Sequence, residues 1–441
     1  MLRQRLTLIL IMAIICISAY SQDTASYNLD KLIEFAVKNN HNVQISRNNV
    51  KIAKNNASLS NAGILPEIAL TGNASLSSND TKAEFSGNIP VSEQEGAQSV
   101  NYGGDIEMSR ATVFQGFYSF NKYKKLKSQV ELSDIKLQTE IENTIVAVSR
   151  AYYTYISFVN DYNIALGNLA ISKDRLKKVE DNLIFGQSSE NERLNALSAV
   201  NADSLQLLSL KNQKKKAFHD LVKSLGEETI KVSELESTKP SLDLLILNYQ
   251  QVKSKLQENN KTLKLSRTNL GISQLEYKMT KASRFPSITL STGYGYNQQE
   301  FDVGVMTYNR TLGFDVGISV SYNLFDFGQR RKNIQTAKIS VQNEELNIEK
   351  IILQINQDFE KAWTDYTLQL NTMELEQDNL ANEKERFKSV KDKYYLGQTD
   401  NLTFRDAQLS LARAKSQLFN ARINAKLSEL ELLRISGALV R

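Results

Sequence analysis

The sequence is poor in the residues that build reactive or metal-binding sites. Its 441 residues include one cysteine, Cys16, and two histidines, His41 and His219, which stand apart from each other. Without a second cysteine no disulfide can form within the chain, so the stability of the fold must come from elsewhere. No phosphate-binding loop, nucleophile elbow or zinc-ligand spacing is present. The sequence therefore disfavours an enzyme, and we expect neither a cofactor nor a metal.

Long apolar runs and a dominant sign of charge are also missing. Beyond residue 21 no stretch of about 18 apolar residues occurs, which excludes a helix that crosses a bilayer. The net charge is +5, from 54 Lys and Arg residues interspersed with 49 Asp and Glu residues. Such a mixture is typical of a solvated surface, and we expect no nucleic acid partner. A membrane location would then require a β-barrel, which satisfies every backbone group.

The N-terminus predicts a secretory leader. A short basic start precedes the apolar run Leu6–Ile17, and small residues follow at the two positions that a leader peptidase inspects. We predict a signal peptide over residues 1–21. A retained membrane anchor is the alternative, but the run is short for one. Ile15 stands where lipidation of Cys16 would need a small residue, so no lipid anchor is expected.

The chain is an internal duplication. Residues 40–47, NHNVQISR, recur as NKTLKLSR at 260–267, an offset of 220. Further on the offset is 211, as in Phe114 and Phe325, Tyr155 and Tyr366, Gly186 and Gly397, and Gly226 and Gly437. Such a constant register indicates one architecture built twice. We place the first repeat at 22–226, a linker at 227–250 and the second repeat at 251–441.

The sequence of each repeat predicts a half-length helix, two strands, a very long helix, a tight turn and a returning half-length helix. Apolar residues recur three and four apart from Phe120 to Leu183 without a proline. That spacing is typical of helices that pack on other helices, and about 65 residues give about 100 Å of helix. A glycine and a capping residue mark each tip turn, at 185–189 and 396–400.

Alternation of apolar and polar residues predicts the strands, at about 66–78, 101–114, 286–298 and 311–325. The pattern is clearest in the last, where a period of two gives one apolar face of the kind that contacts lipid. The residues expected to face lipid are Leu312, Phe314, Val316, Ile318, Val320 and Tyr322. A water-soluble antiparallel sheet with one buried face is the alternative, and the alternation alone permits it.

Four strands cannot close a barrel. An open sheet would leave unpaired backbone groups in lipid, so several chains would have to contribute strands to one barrel.

The chain resembles the TolC family of outer-membrane efflux proteins over residues 28–437. The motifs that carry the resemblance lie at the ends of the predicted strands. The residues that resemble the family's helix-to-strand and strand-to-helix junctions are Pro66, Pro286, Phe114, Gly116, Phe325 and Gly328. Residues 324–328, LFDFG, are close to the family signature, whereas residues 113–116, VFQG, lack its aspartate. Each motif is weak alone, and their repetition at a fixed offset makes the resemblance strong.

The resemblance implies a fold that is mainly α with a small β part. It implies a homotrimer whose 12-stranded transmembrane β-barrel is continued by a long α-helical periplasmic barrel. Residues 227–250 would form the equatorial segment of that tunnel. The loops 79–100 and 299–310 would lie outside the cell.

The implied function is a passive exit duct of a tripartite efflux pump or type I secretion system. It would lie in the outer membrane of a Gram-negative bacterium and extend into the periplasm. The implied partners are outer-membrane lipid, a periplasmic adaptor (membrane fusion) protein and an inner-membrane pump of RND, ABC or MFS type. The residues implied to contact the adaptor are Gly186, Gln187, Gly397 and Gln398. The sequence does not specify the cargo, because a duct has no substrate pocket.

The family narrows its periplasmic mouth with acidic residues after each tip turn. By position, Glu192 and Asp406 are the acidic gate candidates, and Tyr394 matches a tyrosine that holds the closed state. Thr403 stands where a further acid is expected, and the arginine expected just after the second turn is replaced, since Gln398 and Thr399 occupy that place. A solvated helix face is the alternative interpretation of both acids.

A periplasm-spanning coiled-coil structural or adaptor protein is the alternative function. Adaptors carry one helical hairpin flanked by a lipoyl-like β domain, and the sequence shows no such arrangement. Two copies of paired, alternating strands favour the duct.

Overall fold

The computed structural model describes residues 28–84, 86–87, 90–226, 242–302 and 306–439. The predicted signal peptide and residues 227–241 of the predicted linker lie outside the described residues.

The described chain is mainly helical with one small sheet, as predicted. The first repeat contains α1 (Leu29–Asn39), α2 (His41–Asn56), α3 (Leu59–Ala62), β1 (Glu67–Ala83), β2 (Ser92–Phe114), α4 (Tyr118–Ile184) and α5 (Glu190–Leu225). The second contains α6 (Tyr249–Asn259), α7 (Lys261–Ala282), β3 (Ser287–Phe301), β4 (Tyr308–Ser321), α8 (Gln329–Tyr395) and α9 (Asn401–Ile435). The two long helices, α4 and α8, have 67 residues each. No helix of the described ranges is both long enough and apolar enough to cross a membrane.

The strands differ in length from the sequence prediction. β1 continues to Ala83 and β2 begins at Ser92, so most of the predicted loop 79–100 is strand. These extensions are mostly polar and charged and carry no apolar alternation, yet the backbone ladder between the two strands continues through them. Pairing with a neighbour outweighs intrinsic propensity here. At the other end β4 stops at Ser321, so residues 322–325 lie beyond the strand.

The four strands form one antiparallel sheet in the order β1-β2-β3-β4. β2 pairs with β1 along one side and with β3 along the other, and β3 pairs in turn with β4. Within the described residues β1 and β4 each have a single strand partner. Both outer edges of the sheet therefore present unpaired backbone groups.

The half-length helix predicted before each proline is interrupted by an asparagine, at Asn40 and at Asn260. Asn40 leaves the helical conformation, with φ of −59° and ψ of 128°, and its side-chain oxygen accepts from the Asn42 amide at 2.9 Å, which caps α2. Its amide group donates to the Ser224 carbonyl at 3.1 Å, and Asn260 donates in the same way to the Ile435 carbonyl at 2.8 Å. Each repeat thus ties the break in its first helix to the end of its returning helix.

The described chain divides into two compact units. The first contains the described residues of 28–45, 138–260 and 355–439, and the second those of 46–137 and 261–354. Each unit takes residues from both repeats, and both long helices contribute to each.

The core of the first unit is built from aromatic and aliphatic side chains of four helices. Three tyrosines of α4, Tyr152, Tyr153 and Tyr155, are at most 2% exposed and pack with Leu32 of α1 and Leu221 of α5. In the second repeat the Tyr366 hydroxyl donates to the Leu245 carbonyl at 2.7 Å and holds the segment that leads into α6. The apolar spacing seen in the sequence is therefore realised as helix packing.

We predict that Gly226→Ala destabilises the protein more than Gly186→Ala does. Both glycines end a helix with positive φ, 80° and 70°, where any side chain is strained. A Cβ at Gly226 would lie 2.9 Å from the α-carbon of Asn40, whereas nothing lies within 4 Å of one at Gly186. Overpacking of this kind costs about 1–3 kcal/mol beyond the shared strain.

Thermal unfolding of the two purified variants in the same detergent measures the difference. Equal melting temperatures would show that the joint at Asn40 is not closely packed.

Candidate functional sites in the sheet and the helical turns

One face of the sheet is apolar from edge to edge. The register places Leu70, Ile106, Tyr294 and Phe314 in a single row across the four strands. Of these, Leu70 is 79% exposed and Phe314 70% exposed. An uncovered apolar surface of this extent marks a contact with lipid or with another protein.

The opposite face of the sheet is polar and small. Glu107 of β2 lies in one row with Ala69, Gly293 and Asp315. In the adjacent row of that face, Asp105 pairs with Gly295. The sheet therefore presents carboxylates and glycines on one side and large apolar side chains on the other.

The residues predicted to face lipid lie on the apolar side and are open to their surroundings. The exposed fractions are 53% for Leu312, 70% for Phe314, 60% for Val316, 73% for Ile318, 64% for Val320 and 48% for Tyr322. Tyr322 follows the last residue of β4 rather than lying in it.

Of the predicted junction residues, Pro66, Pro286, Phe114 and Gly116 lie at or within two residues of a strand end. Phe325 and Gly328 lie further along, in the segment between the end of β4 at Ser321 and the start of α8. Pro66 precedes β1 and Pro286 precedes β3. After β2, Gly116 has φ of 57° and is so closely packed that a Cβ there would lie 2.7 Å from the Ala282 carbonyl oxygen.

The strand-to-helix junction of the second repeat depends on a carboxylate. One Asp326 oxygen accepts from the Gly328 amide and the other from the Arg330 amide, each at 3.2 Å. The carboxylate thereby caps the start of α8. Phe325 packs against Phe327 at a ring-centroid distance of 4.7 Å. In the first repeat Gln115 replaces the aspartate, and its backbone carbonyl accepts from Tyr118.

The two tip turns have the same hydrogen-bond pattern. Gly186 and Gly397 have φ of 70° and 73°, and the amides of Gln187 and Gln398 each donate to a carbonyl five residues back at 2.8 Å. This is a Schellman motif, which satisfies the last carbonyls of a helix. Large apolar side chains flank both turns: Ile184, Phe185, Leu396 and Leu402 are 72–80% exposed.

The gate candidates occupy four different environments. Glu192 completes the capping box of α5, where its carboxylate accepts from the Ser189 amide at 3.2 Å. The Thr403 amide donates to the Asp400 carboxylate at 2.7 Å, and the residue is exposed. Asp406 forms an ion pair with Arg386, which also contacts Glu383 at 3.1 Å.

Tyr394 is the least exposed of the gate candidates. Its ring packs on Phe404 at 4.6 Å between centroids, and the Lys178 ammonium lies 5.0 Å from its centre. Burial raises the pKa of the Tyr394 hydroxyl, and the nearby Glu192 adds to the shift. Glu192 is thus held by the capping box of α5 and Tyr394 by Phe404, while Asp406 is engaged with Arg386.

A buried charged cluster joins the two helical hairpins of the first unit. Asp203 of α5 accepts from Ser172 of α4 at 2.5 Å and from the Arg405 Nη1 of α9 at 2.8 Å. Gln408, one turn along α9, donates to the Asn168 carbonyl of α4 at 3.0 Å. We call Ser172, Asp203, Arg405 and Gln408 the staple.

A second guanidinium lies next to the staple. Arg175 of α4 is 4% exposed, and its Nε and Nη1 atoms make no hydrogen bond within the described residues. Burial and the charge of Arg405 lower the pKa of Arg175. The charge of Asp203 opposes this shift, so Asp203 pairs with the partly buried Arg405 and also stabilises the buried Arg175 cation. Loss of Asp203 would remove that compensation from both guanidinium groups.

The family model for outer membrane efflux proteins matches residues 32–227 and 252–438. The chain belongs to the outer membrane efflux protein family. The model matches twice, once in each half of the chain.

The relatives of this efflux protein are similar over nearly their whole length. The probable efflux pump outer membrane protein TtgC of Pseudomonas putida is 20% identical over 93% of this chain and 82% of its own. The outer membrane protein TolC of Vibrio cholerae is 17% identical over 86% of this chain and 84% of its own. The outer membrane channel CmeC of Campylobacter jejuni has the same fold, with a TM-score of 0.76, 14% identity and coverage of 96% and 88%.

Sequence reasoning missed the staple of this efflux protein. Its residues look like ordinary polar positions on amphipathic helices, and Ser172 and Arg405 are 233 positions apart. No local pattern connects them, and only the packing of the hairpins does.

We predict that Asp203→Ala destabilises the efflux protein by about 3–5 kcal/mol, because it leaves the partly buried Arg405 and the buried Arg175 guanidinium groups without this carboxylate. Thermal unfolding in detergent measures the loss. Glu190→Ala is the matched control, since it breaks an exposed ion pair with Arg193 on the same helix and should leave the melting temperature unchanged.

The pH dependence of stability provides a second test of the role of the Asp203 carboxylate. Burial raises the pKa of Asp203, but hydrogen bonds from Arg405 and Ser172 outweigh it, and the net pKa is below the ordinary 3.8. Its stabilisation is therefore present above the unfolded pKa and is lost as the pH falls through the folded one. Between about pH 5 and about pH 3 the wild-type melting temperature should fall more steeply than that of Asp203→Asn. Parallel curves would contradict the role of this carboxylate.

Proposed function

We propose that this efflux protein is a passive exit duct in the outer membrane of a Gram-negative bacterium. Three chains would form a 12-stranded β-barrel continued by an α-helical periplasmic barrel. The observation that carries the proposal is the two-faced sheet with two open edges. A coiled-coil adaptor gives no reason for such a sheet.

The open edges argue for closure between chains. In lipid, each unpaired backbone group along β1 and β4 would raise the free energy by roughly several kcal/mol, because no water is present to form a hydrogen bond with it. Pairing β1 of one chain with β4 of the next removes both edges. About eight strands leave a barrel interior filled by side chains, so two chains would not give a passage, whereas three chains widen it.

The faces of the sheet fit a hydrated passage. The apolar row through Phe314 would contact lipid, and the row with Glu107 and Asp315 would line the lumen. Carboxylates and glycines on the inner face keep water in the passage and leave room for a cargo.

Uncovered apolar seams on the helices support assembly from identical copies. On α8, Ile339, Leu346 and Leu353 recur every seven residues and are 47–65% exposed. On α5, Leu194, Leu197, Leu205 and Leu208 recur at spacings of three and eight and are 36–69% exposed. Seven-residue spacing is that of helices packed on other helices, and neighbouring chains of the homotrimer would cover these seams.

The partners follow from what the duct itself lacks. The sequence has no nucleotide-binding motif, so an inner-membrane pump of RND, ABC or MFS type would supply the energy. The exposed apolar residues beside Gly186 and Gly397 offer a docking surface at the tip turns for a periplasmic adaptor (membrane fusion) protein. The relative TtgC carries the name of an efflux pump component, which favours tripartite efflux over type I secretion.

The gate proposal places Glu192, Tyr394, Thr403 and Asp406 at the periplasmic mouth. Asp406 and Arg386 form an exposed ion pair, and breaking such a pair costs little free energy. Tyr394 packs on Phe404 and so holds the tip turn in place. An acidic ring at a narrow mouth favours cations over anions.

Ion conductance tests the proposed duct. The purified full-length protein should have three times the mass of one chain and should form cation-preferring channels in planar bilayers. A monomer that leaves the membrane without detergent and conducts no ions would rule the duct out and favour the coiled-coil adaptor.

We predict that Glu192→Gln combined with Asp406→Asn raises single-channel conductance and lowers cation preference. Glutamine still completes the capping box and asparagine keeps the side-chain volume, so the charges alone are removed. Glu383→Gln is the control, because it removes the other carboxylate at Arg386 and leaves both gate candidates intact. Unchanged conductance in the double variant would exclude a gating role for the two acids.

Charge placed on the apolar face tests its lipid contact. We predict that Ile318→Lys reduces outer-membrane insertion, with a penalty of about 2–4 kcal/mol for lysine in the bilayer interior. Ser319→Lys is the matched control, since it lies one residue along β4 and on the polar face. Detergent-extractable trimer in isolated outer membranes measures insertion, and equal loss from both variants would contradict the assignment of the faces.

A further inference from the structure

Basic residues are concentrated where the helices of the second unit meet the sheet. Residues 118–127 of α4, 278–284 at the end of α7 and 328–338 of α8 contain 11 Lys and Arg residues and no Asp or Glu. Residue 127 lies nine positions into α4, so these charges fall within about 15 Å of the helix ends. The chain as a whole mixes both signs, which makes this band unusual.

Nine of these 11 basic side chains make no ion pair within the described ranges. Six of the nine are Lys124, Lys127, Lys281, Arg284, Arg331 and Lys332, all of which are exposed. Two neighbours differ, since Lys125 pairs with Glu276 at 2.7 Å and Arg330 with Asp326 at 3.3 Å. We call the six residues the basic band.

Helix stability does not account for the basic band. Neither α4 nor α8 has an acidic residue in its first turn. Cations near a helix N-terminus oppose the helix dipole and are unfavourable there. Arg331 and Lys332 lie in the first turn of α8 and so weaken the helix locally. A favourable interaction outside the chain would offset that loss.

Exposed phenylalanine rings lie between the apolar sheet face and the basic band. Phe117 is 70% exposed, Phe325 72% and Phe327 93%, and Phe285 beside β3 is 52% exposed. Phe117 and Phe327 have φ of 64° and 51°, a strained conformation for an aromatic residue, in both repeats. Along the chain the order is apolar strand, aromatic ring, cation, which is the order of hydrocarbon, interface and phosphate in a lipid leaflet.

We propose that the basic band binds the phosphate groups of anionic phospholipids and sets the depth of the sheet in the membrane. The proposal rests on the proposed lipid contact of the apolar sheet face. Arg284 and Arg331 can each hold a phosphate with two parallel hydrogen bonds, and the lysines act as point charges. The Lys124 ammonium lies 5.3 Å from the Phe120 ring centre, so cation and ring form one surface that suits a headgroup.

The test compares phospholipids of equal chain length on the full-length protein. Phosphatidylglycerol or phosphatidylcholine is titrated into the purified protein in neutral detergent, and native mass spectra count the lipids retained. The band variant is Lys281→Gln with Arg331→Gln and Lys332→Gln. The control variant, Lys211→Gln with Lys215→Gln and Lys216→Gln, removes the same charge from exposed positions of α5 in the first unit.

Wild type and the control variant should prefer phosphatidylglycerol, and the band variant should lose about fivefold in affinity per removed cation at low salt. The preference should weaken as salt screens the charges. Equal retention of both lipids by wild type, or an equal loss in the control variant, would overturn the proposal. Displacement by inorganic phosphate at concentrations equal to those of the lipid would also overturn it, because the band would then bind any phosphate.

Measurements of trimer mass and ion conductance distinguish failure of the lipid-binding proposal from failure of the proposed duct. A wild-type protein that forms ion-conducting trimers without a preference for phosphatidylglycerol would refute the basic band alone. A wild-type protein that neither forms trimers nor conducts would refute the duct as well. The band variant should retain trimer mass and conductance, which excludes misfolding as the cause of lost lipid.

Discussion

Unpaired backbone groups along the outer edges of β1 and β4 are the constraint on which the rest of this efflux protein depends. The sheet has one apolar face and two open edges. The apolar face is stable in contact with lipid, but the edges are not, because the bilayer interior offers no hydrogen-bond partner to an unpaired amide or carbonyl group. A single chain cannot meet both conditions with four strands. The proposed closure with identical chains would meet them, and the same assembly would cover the exposed apolar seams of α5 and α8.

Two kinds of contact hold the helices of the first unit together, one present in both repeats and one present only once. The joint between an asparagine and the end of the returning helix occurs in both repeats, with the same donor and acceptor groups. The staple occurs once and combines Asp203 of the first repeat with Arg405 of the second. Duplicated joints stabilise each repeat separately, whereas a single buried ion pair can hold the two hairpins in register or release them when it breaks.

Much of the fold could be predicted from the sequence, because periodicity and turn chemistry are local. Apolar residues three and four apart gave the long helices, and Gly186 and Gly397 gave the turns. Strand length was harder, since the polar and charged ends of β1 and β2 form strand by pairing and not by propensity. The gate candidates came from position alone, and the structure shows Glu192 in a capping box and Asp406 paired with Arg386. The staple could not be predicted, because its members meet only after the hairpins pack.

Cysteine cross-linking between sheet edges tests shared closure most directly. The single native cysteine lies in the predicted leader, so the rest of the chain offers a cysteine-free background. One cysteine at Ala69 of β1 would be combined with single cysteines along the polar face of β4, at Thr311, Asp315 or Ser319. Oxidation in outer membranes followed by denaturing electrophoresis should give covalent dimers and trimers at one register and nothing larger. Monomers at every register, or a ladder that continues beyond three chains, would contradict a barrel closed by three copies.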